Sequence, residues 1–188
     1  DADRGKGVLE TLKTISPFEA SDPEDVAQMF ACMQAAAPAD TYGIIIGCHG
    51  KAWVPASSGT LRIHGKNLCG GYWTPADGAL PTRSFGDAQH ELDIAELAAV
   101  LEGLATRPEY LIFDACFMAN IETLYDLRNT VDYVVASPCE IMAAGFPYDR
   151  IIPHLFADET ARTALEATCL EFWEFYEYDW DTISDNEQ

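Results

Sequence analysis

Positive charge is scarce in this sequence. Its 188 residues carry 11 Lys and Arg against 31 Asp and Glu, for a formal net charge of −20 at pH 7. The phosphates of nucleic acid would repel such a chain, which argues against nucleic acid as a partner. The acid reads equally well as a solvated surface or as a field that steers basic partners inward, more weakly as salt rises. Much of it lies between Glu171 and Glu187. No apolar run approaches the roughly 20 residues of a membrane-crossing helix. No signal peptide opens the chain. The start at Asp1-Ala2-Asp3 has no initiator Met and reads as a processed or trimmed product, so it is silent on export. Low-complexity tracts and internal repeats are also missing. What remains fits one domain over residues 1–188, able to bury roughly 70% of its unfolded surface.

Paired cysteine motifs are lacking too. The six cysteines, Cys32, Cys48, Cys69, Cys116, Cys139 and Cys169, include no Cys-x-x-Cys pair, which argues against zinc-ribbon and thioredoxin chemistry. A zinc site from Cys48, His49, His64 and Cys69 has no recognised spacing. Cys32, Cys48 and Cys169 lie among apolar residues and read as small core side chains.

Two apolar runs are present, and each ends in a reactive residue. Tyr42-Gly43-Ile44-Ile45-Ile46-Gly47-Cys48 stops at His49-Gly50, and Tyr110-Leu111-Ile112-Phe113 stops at Asp114-Ala115-Cys116. Runs rich in β-branched and aromatic residues read as buried strands of a parallel sheet. Chemistry in open α/β sheets gathers beyond the carboxyl ends of such strands. His49 and Cys116 would therefore meet on one sheet edge, as a thiol nucleophile and its imidazole base must. Spacing alone is weak evidence for a dyad and favours a satisfied core histidine and an inert buried thiol.

The rest of the chain alternates helix and strand patterns, which indicates βαβ architecture. Asp22-Pro23-Glu24-Asp25 starts a helix that continues through Val26, Met29, Phe30 and Met33 and closes at Pro38-Ala39-Asp40. Leu92, Ile94, Leu97, Ala98, Leu101 and Leu104 form a second helical face. Met118 to Leu127 reads as a third helix, with Ile121, Leu124 and Tyr125 on one side. Asp132 to Ser137 reads as a third strand, Gly145-Phe146-Pro147-Tyr148 as a turn, and a last helix runs from about Asp158 to Tyr176. Its end, with Phe172, Trp173, Phe175, Tyr176, Tyr178 and Trp180, has too many aromatic faces for one stripe and is expected to pack against something. Residues 51 to 88 carry Gly70-Gly71, Pro75 and Pro81 without periodicity, and read as a mobile loop over the site. His64 sits in that loop, His90 reads as a cap-region residue, and His154 between Ile152 and Leu155 reads as packing.

At a strand-to-helix junction Cys116 would feel the positive end of the following helix, which lowers a thiol pKa. The backbone N–H groups of Cys116 and Gly50 suit an oxyanion hole, and a glycine at 50 allows close approach of backbone to substrate.

The blocks around both residues resemble the clostripain family of cysteine peptidases, relatives of caspases, gingipains and legumains. His49-Gly50-Lys51-Ala52-Trp53-Val54-Pro55 is similar to that family's His-Gly-x-Gly-Trp block. Phe113-Asp114-Ala115-Cys116-Phe117-Met118, with Ile121-Glu122 and Tyr125-Asp126-Leu127, resembles its nucleophile block. Asp132-Tyr133, Val135-Ala136-Ser137 and Gly145-Phe146-Pro147-Tyr148 continue the likeness in order, so that it covers most of residues 20 to 150. The resemblance implies a caspase-like three-layer α/β/α sandwich with a mostly parallel sheet and a catalytic dyad of His49 and Cys116. It also implies that Asp114 contributes to an acidic S1 pocket for Arg or Lys; the alternative is an acid that orients local backbone.

Ala144 stands where Arg-cleaving relatives carry a second acid, with Glu140 nearby, and Ala52 replaces a glycine. The family's usual first core strand would precede Asp1, and further elements would follow Gln188. Members are often exported and cut from precursors after the catalytic histidine, where Arg62, Lys66 and Arg83 lie, so a processed partner chain is among the expectations. Some depend on calcium, but the acids here form no dense oxygen-ligand loop, and the reading requires no cofactor. The expected function is an endopeptidase acting on peptide or protein substrates. Its rivals are a catalytically silent binding module and a thiol-dependent hydrolase of non-peptide substrates.

Overall fold

The computed structural model describes residues 10–50, 56, 62–63, 66–67, 84–87, 90–142 and 144–179. The block 51–55, His64, Cys69, Arg83, Trp180 and the end of the acidic tail lie outside them, as do the side chains of Arg62 and Lys66 and most of the loop 51–88.

In chain order the elements are α1 (Pro23–Ala36), β1 (Gly43–Gly47), β2 (Arg62–Ile63), β3 (Lys66–Asn67), β4 (Ser84–Asp87), β5 (His90–Asp93), α2 (Ile94–Glu102), β6 (Tyr110–Asp114), α3 (Ile121–Leu127), β7 (Tyr133–Val135), α4 (Tyr148–Leu155) and α5 (Ala161–Glu174). A π-helical turn, Phe175–Asp179, follows α5. The central sheet runs β1-β6-β7, wholly parallel, with Gly47 opposite Asp114 and Ile112 opposite Val135. β4 and β5 form an antiparallel hairpin, as do the two-residue strands β2 and β3.

Side-chain alternation along β6 sends neighbours to opposite faces and so builds two cores. Leu111 and Phe113 pack with Val26 and Phe30 of α1, Leu97 and Leu101 of α2 and Leu127 of α3. Ile112 points the other way, against Phe146, Ile151 of α4 and Leu165 of α5. Helices cover both faces of a parallel sheet, in the expected α/β/α order. Each fully buried Phe or Leu contributes about 1.5–3 kcal/mol, so the two clusters hold the strand ends in place.

Helix starts follow their capping chemistry. The Asp22 carboxylate accepts the Glu24 N–H at 2.9 Å, with Pro23 in the first turn. Asp93 caps α2, and its N–H donates back to Glu96 Oε2 at 3.2 Å.

Several expectations need correction. Leu92 belongs to β5 rather than α2, and is fully buried there. His90 opens that strand, three residues before the cap, and its Nδ1 lies 2.7 Å from Glu19 Oε1. Cys169 is exposed at the margin of the α5 stripe, and half-buried Cys32 turns its sulfur toward Lys13 Nζ at 2.9 Å. Only Cys48 of the three joins the core. The face of α3 bearing Ile121, Leu124 and Tyr125 is exposed.

The His90 contact, together with the N–H and hydroxyl of Ser21, holds the Glu19 carboxyl down at about 2. Solvent screens this pair, since both side chains are about half exposed. A depressed carboxylate contributes stability above its ordinary value of 4.5 and loses it as pH falls toward 2. Urea midpoints across that window should drop slightly in the wild type. The part of that drop due to Glu19 should vanish in Glu19→Gln.

Candidate active site

His49 and Gly50 leave the carboxyl end of β1, and Ala115 and Cys116 leave that of β6. The two exits stay paired, because the Cys48 N–H donates to the Asp114 carbonyl at 3.2 Å. Gly50 then abuts Cys116 directly. A Cβ at position 50 would overlap the Cys116 carbonyl oxygen and sit 2.9 Å from its nitrogen. Glycine is required here by close approach of two backbones. The hairpin β4–β5 clamps the same segment from the other side, with Gly50 bridging Phe85 and the Gly86 N–H donating to the His49 carbonyl at 3.0 Å. His49 is exposed and Cys116 half-buried, so both face accessible space.

Cys116 sits on a sharp turn. Phe117, the next residue, has φ 61°, a left-handed conformation that bulky side chains rarely adopt and that is most common at functional sites. The turn is tied down by Phe117 N–H to the Cys139 carbonyl and Ala119 N–H to the Ser137 carbonyl, both 3.0 Å. Cys116 Sγ meets the main chain of Ile141, accepting from its N–H at 3.3 Å and lying 3.6 Å from its carbonyl oxygen. This replaces the expected role of the following helix. α3 begins only at Ile121, capped by Asn120, and the N–H aimed at the sulfur is that of Ile141. Neither the Gly50 nor the Cys116 N–H donates to another group among the described residues.

Asp114 shares the strand face of Ile112 and, two residues on, of Cys116. Its half-buried carboxylate accepts at Oδ2 from the Tyr148 hydroxyl at 2.7 Å and from the Phe146 N–H at 3.3 Å. Gly145, with φ 65°, brings the chain so close that a Cβ there would lie 2.5 Å from Oδ2. The Gly145 carbonyl accepts in turn from the Tyr176 hydroxyl at 2.8 Å. Burial, then the bond to Asp114, pushes the Tyr148 hydroxyl well above its ordinary value, which keeps it a donor. Glu140 and Ala144 are both exposed.

The aromatic end of the chain thus packs partly on the site's own support, through Tyr176 and the Phe172–Phe146 ring contact at 4.5 Å. His154 lies on α4, 3.4 Å from Glu171. Ile141, Tyr148 and Tyr176 were not foreseen in these positions. The turn Gly145-Phe146-Pro147-Tyr148 was the one local signal. Among the described residues no group of three or more His, Cys, Asp or Glu side chains is placed to hold a metal. No helix among them is long and apolar enough to cross a membrane.

A model of the clostripain family matches residues 3–184. No curated protein matches the chain. The X-ray structure of a secreted C11 cysteine protease from Bacteroides thetaiotaomicron, iotapain, is similar at 29% identity and TM-score 0.74, over 95% of this chain and 47% of that one. An inactive zymogen C11 protease from Parabacteroides distasonis is similar at 26% identity and TM-score 0.63, over 91% of this chain and 40% of that one. The X-ray structure of a secreted C11 cysteine protease from Bacteroides thetaiotaomicron in complex with an irreversible peptide inhibitor shares the fold at 24% identity and TM-score 0.62, over 85% of this chain and 38% of that one. The chain spans less than half the length of these solved relatives.

Proposed function

Because this chain belongs to the clostripain family of cysteine peptidases, we propose that it is an endopeptidase working through a dyad of Cys116 and His49. The observation that carries the reading is the backbone contact between Gly50 and Cys116, which brings the two strand ends together.

The Cys116 thiolate attacks the scissile carbonyl carbon, and the electron pair of the C=O moves onto oxygen. The N–H groups of Gly50 and Cys116 receive that oxyanion. Collapse expels the amine, which takes a proton from the His49 imidazolium and leaves a thioester on Cys116. His49 then removes a proton from water, whose oxygen attacks the thioester. Collapse breaks the C–S bond and releases the acid product, and the His49 imidazolium returns its proton to the Cys116 sulfur, ready to be taken up again as the next thiolate forms. The Ile141 N–H donates to Sγ at 3.3 Å and fixes where the sulfur sits.

Asp114 is the acid of the S1 pocket in this reading, and the preferred bond follows Arg or Lys. Export is proposed from the likeness to a secreted relative. Precursor processing, with Arg62, Lys66 or Arg83 as cut points and a processed segment as partner, is proposed from the likeness to a zymogen.

The test is hydrolysis of fluorogenic peptides matched except for Lys, Arg, Ala or Asp at P1, on the wild type and on Asp114→Asn. Cleavage after Lys or Arg is expected to exceed that after Ala, and the variant should lose the difference by about tenfold or more, the worth of one charge-assisted hydrogen bond. Equal cleavage after Ala and the basic residues would discard the acidic pocket but keep the dyad.

A further inference from the structure

The carboxylate of Asp114 is only half available. Oδ2 already accepts two hydrogen bonds, from the Tyr148 hydroxyl and the Phe146 N–H. Oδ1 accepts none among the described residues, and it is not sealed from solvent. The carboxylate is fixed in an orientation that offers one open oxygen. It is held by the Gly145 turn behind Oδ2 and by Tyr148 at the first turn of α4. The Gly145 turn is itself tied to the π-helical turn through Tyr176. Tyr148 reaches this position beside Gly47, where an added Cβ would come 3.8 Å from its hydroxyl.

We propose that this pocket prefers lysine to arginine at P1, and that Tyr148 is the positioning residue that sets the preference by occupying one oxygen of Asp114. The inference rests on the reading of Asp114 as the S1 acid. An arginine side chain gains most from a carboxylate when its planar fork meets both oxygens in two parallel hydrogen bonds. With Oδ2 taken, the fork keeps one bond and leaves its other donors to find partners elsewhere. Ala144, next to the Gly145 turn, supplies no acceptor side chain. A lysine ammonium is a compact point charge that needs one anionic oxygen and directs its remaining protons to water. One oxygen left open to a ligand therefore matches lysine and under-serves arginine. The Tyr148 hydroxyl stays protonated beside the carboxylate, so it holds Oδ2 throughout the working pH range.

The test compares kcat/KM for matched P1-Lys and P1-Arg peptides on the wild type, Tyr148→Phe and Asp114→Asn. The wild type should favour Lys. Tyr148→Phe leaves the Phe146 N–H on Oδ2 but opens that oxygen's second acceptor position, and should move the Lys-to-Arg ratio toward Arg by about tenfold, the worth of one regained charge-assisted hydrogen bond. A merely structural role for Tyr148 would lower both rates together and leave the ratio unmoved. An Arg-preferring wild type, or an unmoved ratio in Tyr148→Phe while Asp114→Asn still weakens both substrates, overturns the inference and leaves Asp114 as the S1 acid. Unchanged cleavage of both peptides by Asp114→Asn overturns the S1 reading and this inference with it. Turnover of neither peptide by the wild type overturns both.

Discussion

Cys116→Ala is expected to lower peptide hydrolysis by roughly 10⁴-fold or more while the chain stays folded. On the proposed mechanism, removing the nucleophile leaves only binding and oxyanion stabilisation, whose residual catalysis is small. The fold should barely respond. The Cys116 side chain is half-buried, and its sulfur meets only the Ile141 main chain among the contacts described, whereas the neighbouring core residues Ala115 and Met118 are untouched. Loss of one such contact is worth about 1 kcal/mol. The check is kcat/KM on the best P1 peptide, beside a thermal melt of the same preparation. Residual turnover near wild type would mean that another thiol carries the chemistry. Cys139 is the first to examine, because it is exposed and its carbonyl already binds the residue after Cys116.

What the sequence made legible is the pair of strand ends. β1 and β6 are apolar runs that do form adjacent parallel strands, and each reactive residue follows its strand end after one intervening residue. β6 is buried at Leu111, Ile112 and Phe113, but β1, at the edge of the described sheet, is only partly buried, against expectation. The contact between Gly50 and Cys116 then comes from sheet geometry, which a linear pattern encodes well. α4 was hidden by Pro153, which reads as a breaker yet sits inside the helix. Proline there removes one hydrogen bond, but Ile151 buries on Ile112, and the packing outweighs the loss. Leu92 carries helical spacing with Ile94 and Leu97, but pairing with Phe85 draws it into β5. The groups that tune the site were the least legible. Ile141 meets Cys116 across 25 residues, and Tyr148 meets Asp114 across 34. One of these contacts uses only the backbone of Ile141, which no side-chain pattern announces. The other uses a tyrosine that reads, locally, as the end of a turn.

Gly50→Ala should be the most damaging substitution that replaces neither member of the proposed dyad. Its Cβ would overlap the Cys116 carbonyl oxygen and approach the Cys116 nitrogen and carbonyl carbon at 2.9 and 3.0 Å. All three atoms are backbone, so no rotamer change relieves the overlap, and one strand exit must move away from the other. The Cys116 side is the stiffer, with Ala115 and Met118 buried and Phe117 bonded to Cys139. The shift therefore falls on His49 and Gly50, against the hold of Gly86 on the His49 carbonyl. A displacement of about 1 Å in a catalytic group costs about 10²-fold in rate. Withdrawal of the Gly50 N–H from the oxyanion adds a loss of the same order. The effect should appear in kcat, with KM nearly unchanged, because the proposed S1 carboxylate, Asp114, is anchored by a different segment, 145–148. Gly47→Ala is the matched control: its nearest contact would be the Tyr148 hydroxyl at 3.8 Å, an ordinary van der Waals distance. A Gly50→Ala enzyme with wild-type kcat would show that the strand ends need no such contact to bring the imidazole to the thiol. Loss of kcat in both variants would instead point to a general intolerance of side chains at the β1 exit.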